Sequence, residues 1–188
     1  MTIIALTGTD TRRRLGELQE LLQDAVGHGA VFTFAVPAGA GASEQFWRRI
    51  AGEVALGERR LWVALDERGR VAGSAQLRLG AREEAGDRAE VQKVIVRHAL
   101  RGRGLGAALM ARVEQEALAE GRRLLYFDTS QGAGGVAAFY RKIGYRFVGS
   151  LPAGQAAAGG ARPTAIFYKE LTGRPGADRD FLRGAAAG

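Results

Sequence analysis

The stretch from Ala89 to Ala119, AEVQKVIVRHALRGRGLGAALMARVEQEALA, constrains this chain more than any other. Val91, Val94, Ile95 and Val96 supply a strand pattern, a basic connection follows, RGRGLG brings three glycines, and an amphipathic helix closes the run. In that order a strand ends, the chain turns, and small residues let bare backbone N–H groups converge on a helix N-terminus. Those amides, with the positive end of the helix dipole, make a seat for a phosphate-bearing anion. Arg101 and Arg103 add positive charge where the phosphates would sit.

The remaining bounds are broad. A chain of 188 residues can bury one substantial core but not two large ones. With 46% hydrophobic and 25% charged residues it has an ordinary globular composition, and no apolar run is long enough for a membrane span. In MTIIALTGTDTRRR the charges follow the apolar run, the reverse of a secretory signal, so the expected location is the cytoplasm. Cysteine is absent and the histidines are His28 and His98 alone, so no metal centre is expected. The formal charge of +7 suits either nucleic acid or a polyanionic cofactor. The arginines are dispersed, and no basic face is interleaved with aromatics, so nucleic acid is not the expected partner.

Taken in order, TIIAL at 2–6 reads as a strand. Asp10 or Thr11 caps a helix carrying Leu15, Leu18, Leu22 and Val26 to about Gly27, with His28 at its end. AVFTFAVP is a strand or a loop closing over a pocket. Ser43 is the expected N-cap of a second helix, SEQFWRRIAGEVALG. LWVALDERGRVAGSAQLRL reads as a hairpin, and the helix after the glycines hands over to the strand LLYFDTS. A short helix, VAAFYRKIG, and the strands YRFVGSLP and TAIFYKEL complete a domain expected over 1–172. The Gly-, Pro- and charge-rich 173–188 reads as a disordered tail. The class is α/β or α+β with one mixed sheet.

Two mechanisms compete for the glycines. Gly102-x-Gly104-x-x-Ala107 formally satisfies a dinucleotide fingerprint, but RHALR separates it from Val96 and hairpin strands precede it. The alternative is Arg101-x-x-Gly104-x-Gly106 between a strand and a helix. In that form VQKVIVRHALRGRGLGAALMARVEQEA resembles the acetyl-CoA-binding core of the GNAT superfamily of N-acetyltransferases. The likeness extends through LLYFDTS and AAFYRKIGYRFVG downstream and FWRRIAGEVALGERRLWVALDERGRVAGSAQLRL upstream, about Val31 to Leu171. AEVQKVIV, DTSQG, AFYRKIGY, GSLP and TAIFYKEL look closest to small-molecule acetyltransferases related to the tabtoxin-resistance protein.

The resemblance implies a single domain whose mixed, mostly antiparallel sheet has about six or seven strands, flanked by about four helices. It implies acetyl-CoA as acetyl donor, no metal, a small-molecule amine as acceptor, and a homodimer as an open expectation. Backbone groups of Val94, Ile95 and Val96 would pair with pantetheine, and an amide near Ile95 or Val96 would polarise the thioester carbonyl. The amides of Arg101, Gly102, Arg103, Gly104, Leu105 and Gly106 would bind the pyrophosphate. Tyr140 matches the tyrosine that protonates the leaving thiolate; its plainer role is an aromatic core residue. Where many members carry a cofactor-contacting asparagine this chain has Ala133, with Thr129 or Ser130 as substitutes. The expected mechanism is direct attack in a ternary complex with no acyl-enzyme, consistent with the lack of cysteine.

An amine arrives mostly as ammonium and must lose a proton before attack. Glu90, opening the central strand, and Asp128, ending the adjacent parallel one, are the candidate bases; capping a turn or pairing an arginine is the plainer role of each. Gln92 alternates onto the face of Glu90 and is a candidate substrate ligand. Phe32, Phe34, Phe46 and Trp47 read as core residues, although the resemblance puts Phe32 and Phe34 on the acceptor-side loop. His98 reads as a surface or phosphate-adjacent residue. A non-catalytic acyl-CoA-binding or regulatory module of the same fold is the alternative function.

Overall fold

The computed structural model describes residues 1–29, 39–80, 86–130, 135–152 and 163–171. The expectations for AVFTFAVP, for Phe32, Phe34 and Ala133, and for the tail lie outside them. A seven-stranded sheet runs through the described residues in the order β1-β2-β3-β4-β5-β7-β6. Its strands are β1 (Thr2–Ala5), β2 (Arg59–Leu65), β3 (Val71–Arg78), β4 (Arg88–Val96), β5 (Leu124–Ser130), β6 (Arg146–Leu151) and β7 (Thr164–Glu170). Every pairing is antiparallel except β4 with β5. This is the mixed, mostly antiparallel sheet anticipated from the sequence.

Among the described residues five α-helices flank it: α1 (Gly8–Arg13), α2 (Leu15–Gly27), α3 (Gly39–Ala55), α4 (Leu105–Ala119) and α5 (Val136–Lys142). On one face Leu109, Met110, Val113 and Ala117 of α4 and Tyr140 of α5 pack on Val91, Leu125, Phe127 and Phe167. On the other, Leu18, Leu21 and Leu22 of α2 and Phe46, Trp47 and Ile50 of α3 pack on Leu61, Val63, Val71 and Ile95. Leu109 is fully buried, so Leu109→Ala should lower the unfolding free energy by about 2–5 kcal/mol in a urea titration.

Two helix starts differ from the sequence expectation. Thr7, not Asp10 or Thr11, caps α1: its side chain accepts from the Asp10 N–H while Asp10 reaches back to the Thr7 N–H. Asp10 is thus the second half of a capping box, and the expected single helix breaks at Arg14 into α1 and α2. Ser43 does not cap α3, which begins at Gly39; its hydroxyl lies inside the helix, buried and without a partner among the described residues.

The decisive local feature is in β4. Gly73 and Ser74 pair with Val96 and Ile95, whereas Gln76 and Leu77 pair with Gln92 and Val91, so β4 carries one extra residue against Ala75. Lys93 sits in this bulge at φ +49°, the single non-glycine residue with positive φ among those described. The extra residue shifts the alternation. Ala89 and Val91 face α4, and so do Val94 and Val96, while Ile95 faces α2 and α3.

Candidate active site

At RGRGLG, where a phosphate seat is expected, the loop runs directly into α4. Gly104 precedes α4 at φ +81° and Gly102 lies at φ +75°, left-handed conformations that cost glycine nothing. The first hydrogen bond back into the helix runs from the Ala108 N–H to the Gly104 carbonyl. The N–H groups of Leu105, Gly106 and Ala107 therefore have no intrahelical acceptor. No side chain caps this end and the first turn carries no acidic residue, so nothing in the helix competes with an anion. Arg103 is exposed, and Arg101 donates through Nε to the Val96 carbonyl (3.2 Å), which ties the loop to the end of β4. Leu105 is buried as the first helical residue, and Gly106 lies against Phe139 of α5.

The sheet itself opens beside this loop. β4 and β5 pair only from Arg88 to Glu90, opposite Leu124 to Tyr126. Beyond that no β4–β5 pairing continues, and among the described residues the β5-facing backbone edge of Val94–Val96 has no strand partner. An extended chain carrying amide groups can pair there as an added strand. Loop amides, open strand edge and absence of competing acid together fit a pyrophosphate-linked pantetheine. Thr129 is half-buried near the end of β5, on the far side of the opening.

The candidate catalytic groups fall on opposite faces of the sheet. Tyr140 is buried on the α4 side, in a cluster with Phe127, Phe139, Tyr145 and Phe167 at ring separations of 4.2, 4.9, 6.1 and 5.7 Å. Burial pushes its phenol well above the usual range, so it stays protonated at neutral pH. Glu90 and Asp128 lie on the α2–α3 side: Leu125 and Phe127 turn into the α4 core, which leaves Tyr126 and Asp128 on the other face with Glu90. Glu90 is half-buried with an Arg78 guanidinium 3.7 Å away, and Asp128 is exposed.

Gln92 shares that face, but its oxygen is already engaged. Arg59 of β2, almost fully buried, donates through Nη1 to Gln92 Oε1 (2.6 Å) and to Gln76 Oε1 (2.7 Å), and through Nε to Glu53 Oε2 (2.6 Å). Glu53 also receives Arg49 of α3 at 2.6 Å. Burial lowers the Arg59 guanidinium from its ordinary value, while Glu53 opposes the shift. None of Arg59, Glu53, Gln76 or Lys93 stood out in the sequence. The available signal was Lys93 itself, a charge at a position where the Ala89–Val91 alternation calls for an apolar residue.

Lys93 joins this group because of the bulge. Burial is the main cause lowering its ammonium to about 8, with Arg59 and Arg49 adding to the shift and Asp128 and Glu90 opposing it. Below pH 8 both folded and unfolded chains hold this proton, and the fold carries the full penalty. Between about 8 and 10.5 the unfolded chain holds more protons, so stability rises with pH until the penalty is gone. Lys93→Met should therefore be more stable than the parent at pH 7, by on the order of 3 kcal/mol. Chemical denaturation at a series of pH values should show that gap closing through this window.

His28 and His98 serve the scaffold. Their rings stack at 3.9 Å and 5°, and the Asp24 carboxylate accepts the His98 N–H at 2.7 Å. These contacts hold the end of α2 against the 3₁₀ turn (His98–Leu100) that leads into the glycine loop. Among the described residues no group of three or more acidic or histidine side chains could hold a metal ion, and no helix is long and apolar enough to cross a membrane.

Comparison with known proteins finds the same fold in solved structures. A phosphinothricin acetyltransferase from Sinorhizobium meliloti, solved with AcCoA, shares 23% identity at a TM-score of 0.73, covering 90% of this chain and 88% of that one. A ribosomal-protein-alanine N-acetyltransferase from Brucella melitensis shares 23% at 0.72, covering 90% and 99%. An aminoglycoside 6'-N-acetyltransferase complexed with coenzyme A shares 21% at 0.67, covering 94% and 100%. Residues 30–145, more than half of the chain, match the family described as Acetyltransferase (GNAT). The chain belongs to the GNAT acetyltransferase family and is an enzyme of that class.

Proposed function

We propose that the enzyme acetylates the primary amine of a small molecule, an amino acid-like toxin or antibiotic or a polyamine, by direct attack in a ternary complex. The observation that carries this reading is the opening between β4 and β5, with a phenol on one face and two carboxylates on the other. Bound acetyl-CoA supplies a thioester, an activated acyl group with a thiol leaving group. The chain's own residues do the rest. Backbone donors of Ile95 and Val96 would point at the thioester oxygen. Glu90 or Asp128, directly or through water, takes a proton from the incoming ammonium, and Tyr140 gives one to the departing sulfur. Amine and thioester then meet across the opening in one step.

The small-molecule preference and the likeness to the tabtoxin-resistance group rest on the sequence motifs; the names of the phosphinothricin and aminoglycoside relatives agree with it. Thiol release from acetyl-CoA with a panel of amines tests the activity. Binding of acetyl-CoA without release for any amine would favour the non-catalytic alternative. Glu90→Gln and Asp128→Asn then separate the two carboxylates. The variant lacking the base should lose about tenfold or more in kcat/KM at pH 7. That loss should shrink as rising pH deprotonates the amine unaided, whereas loss of a merely structural carboxylate should not depend on pH.

A further inference from the structure

The α2–α3 face holds more hydrogen-bond donors than its protein acceptors use. Arg59 takes both amide oxygens, from Gln76 and Gln92, so what each glutamine still offers is its NH2 group. Gln76 is fully buried, and its Nε2 has no hydrogen-bond partner among the described residues. An orphaned buried donor is uncommon in a folded protein and calls for an acceptor. Gln92 lies opposite Gln76 across the β3–β4 ladder, and Lys93 follows it in the bulge. The bulge turns Lys93 onto the face of Glu90 and Asp128, at the cost of a left-handed backbone at a residue with a Cβ.

Structure alone gives this arrangement little reason to exist. A regular β4 would put an apolar side chain at this position and bury no ammonium; buried charge is weak evidence for stability. The charges that act on Lys93 are those of Asp128 of β5, Arg59 of β2, Glu90 of β4 and Arg49 of α3. Arg59 and Arg49 are both answered by Glu53 at 2.6 Å, and Arg78 stands by Glu90. The cations are therefore shared among carboxylates, while the amide donors are not.

From this juxtaposition we infer that Lys93, with the NH2 groups of Gln76 and Gln92, seats a carboxylate carried by the acceptor, so the enzyme acts on amino acids rather than on polyamines. A carboxylate has two oxygens able to accept from several donors at once, and an ammonium beside amide N–H groups is a set that complements it. A polyamine would bring further positive charge against Lys93 and offer nothing to the orphaned donor. The inference rests on the small-amine reading above and narrows it.

The test compares acetyl transfer to α-, β- and γ-amino acids with transfer to alkylamines of the same chain length and to spermidine. In the parent enzyme at least one amino acid should exceed its matched alkylamine by tenfold or more in kcat/KM. Lys93→Met should cut that ratio tenfold to a hundredfold, mainly through KM of the amino acid, and Lys93→Arg should restore part of it. Equal or better use of alkylamines or spermidine by the parent overturns the seat while leaving the acetyltransferase reading intact. So does an equal loss for both substrates in Lys93→Met, provided calorimetry shows that the variant still binds acetyl-CoA. Absence of thiol release with every amine tested overturns the seat together with the reading beneath it.

Discussion

Gly104→Val should abolish measurable acetyl-CoA binding, a loss of at least a hundredfold, in a protein that still folds. Gly104 stands at φ +81°, a conformation that a β-branched residue adopts only under strain of about 1–3 kcal/mol. A Cβ built there meets nothing within 4 Å, so the substitution does not clash with the core. Its damage is confined to the backbone before α4, where the N–H groups of Leu105, Gly106 and Ala107 converge. Relaxing φ toward negative values turns those amides away from a common point, and the added branches fill the space a phosphate must enter. Isothermal calorimetry on parent and variant, with a melting curve on each, separates the two effects. Normal binding by the variant would show that the phosphate loop lies elsewhere.

Tyr140→Phe should lower kcat about a hundredfold with little change in acetyl-CoA affinity. The substitution removes one oxygen and leaves the ring, so contacts with Phe127, Phe139 and Phe167 survive. What is lost is a proton donor. A phenol is protonated at neutral pH, the state required of the acid proposed to neutralise the leaving thiolate, and burial raises it further. Without it the thiolate leaves as an anion into an aromatic cluster, which disfavours departure. The change should appear in kcat under saturating substrates. Unchanged turnover would leave Tyr140 with the plainer role the sequence also allowed, a core residue of α5.

Much of the fold was legible because its signals are local. The glycine loop between β4 and α4, the β2–β3 hairpin and the α5 helix each declare themselves within a few residues. The first cap was harder: Asp10 and Thr11 are the expected residues, and only the reciprocal geometry shows that Thr7 caps and Asp10 completes the box. Ser43 illustrates the limit of propensity: a good capping residue sits inside a helix that runs from Gly39 to Ala55.

The acceptor side was legible only in part. Glu90 and Gln92 could be placed on one face because the alternation holds at the start of β4, whereas the face of Asp128 follows from the β4–β5 register and the packing of Leu125 and Phe127. Lys93 could not, because one inserted residue reverses the faces beyond Gln92, and the register that reveals it involves Ala75 on another strand. Arg59 was hidden for a similar reason. Its partners Glu53, Gln76 and Gln92 come from three other elements, and no spacing within the chain announces their meeting.

Initial-velocity kinetics test the central claim, acetyl transfer in a single ternary complex, most directly. Thiol release is followed while acetyl-CoA is varied at several fixed concentrations of the best amine from the panel. The arrangement of Tyr140 and the two carboxylates across one opening predicts double-reciprocal lines that intersect. Parallel lines, with thiol released in a burst before amine is added, would show an acetylated enzyme intermediate and contradict direct transfer.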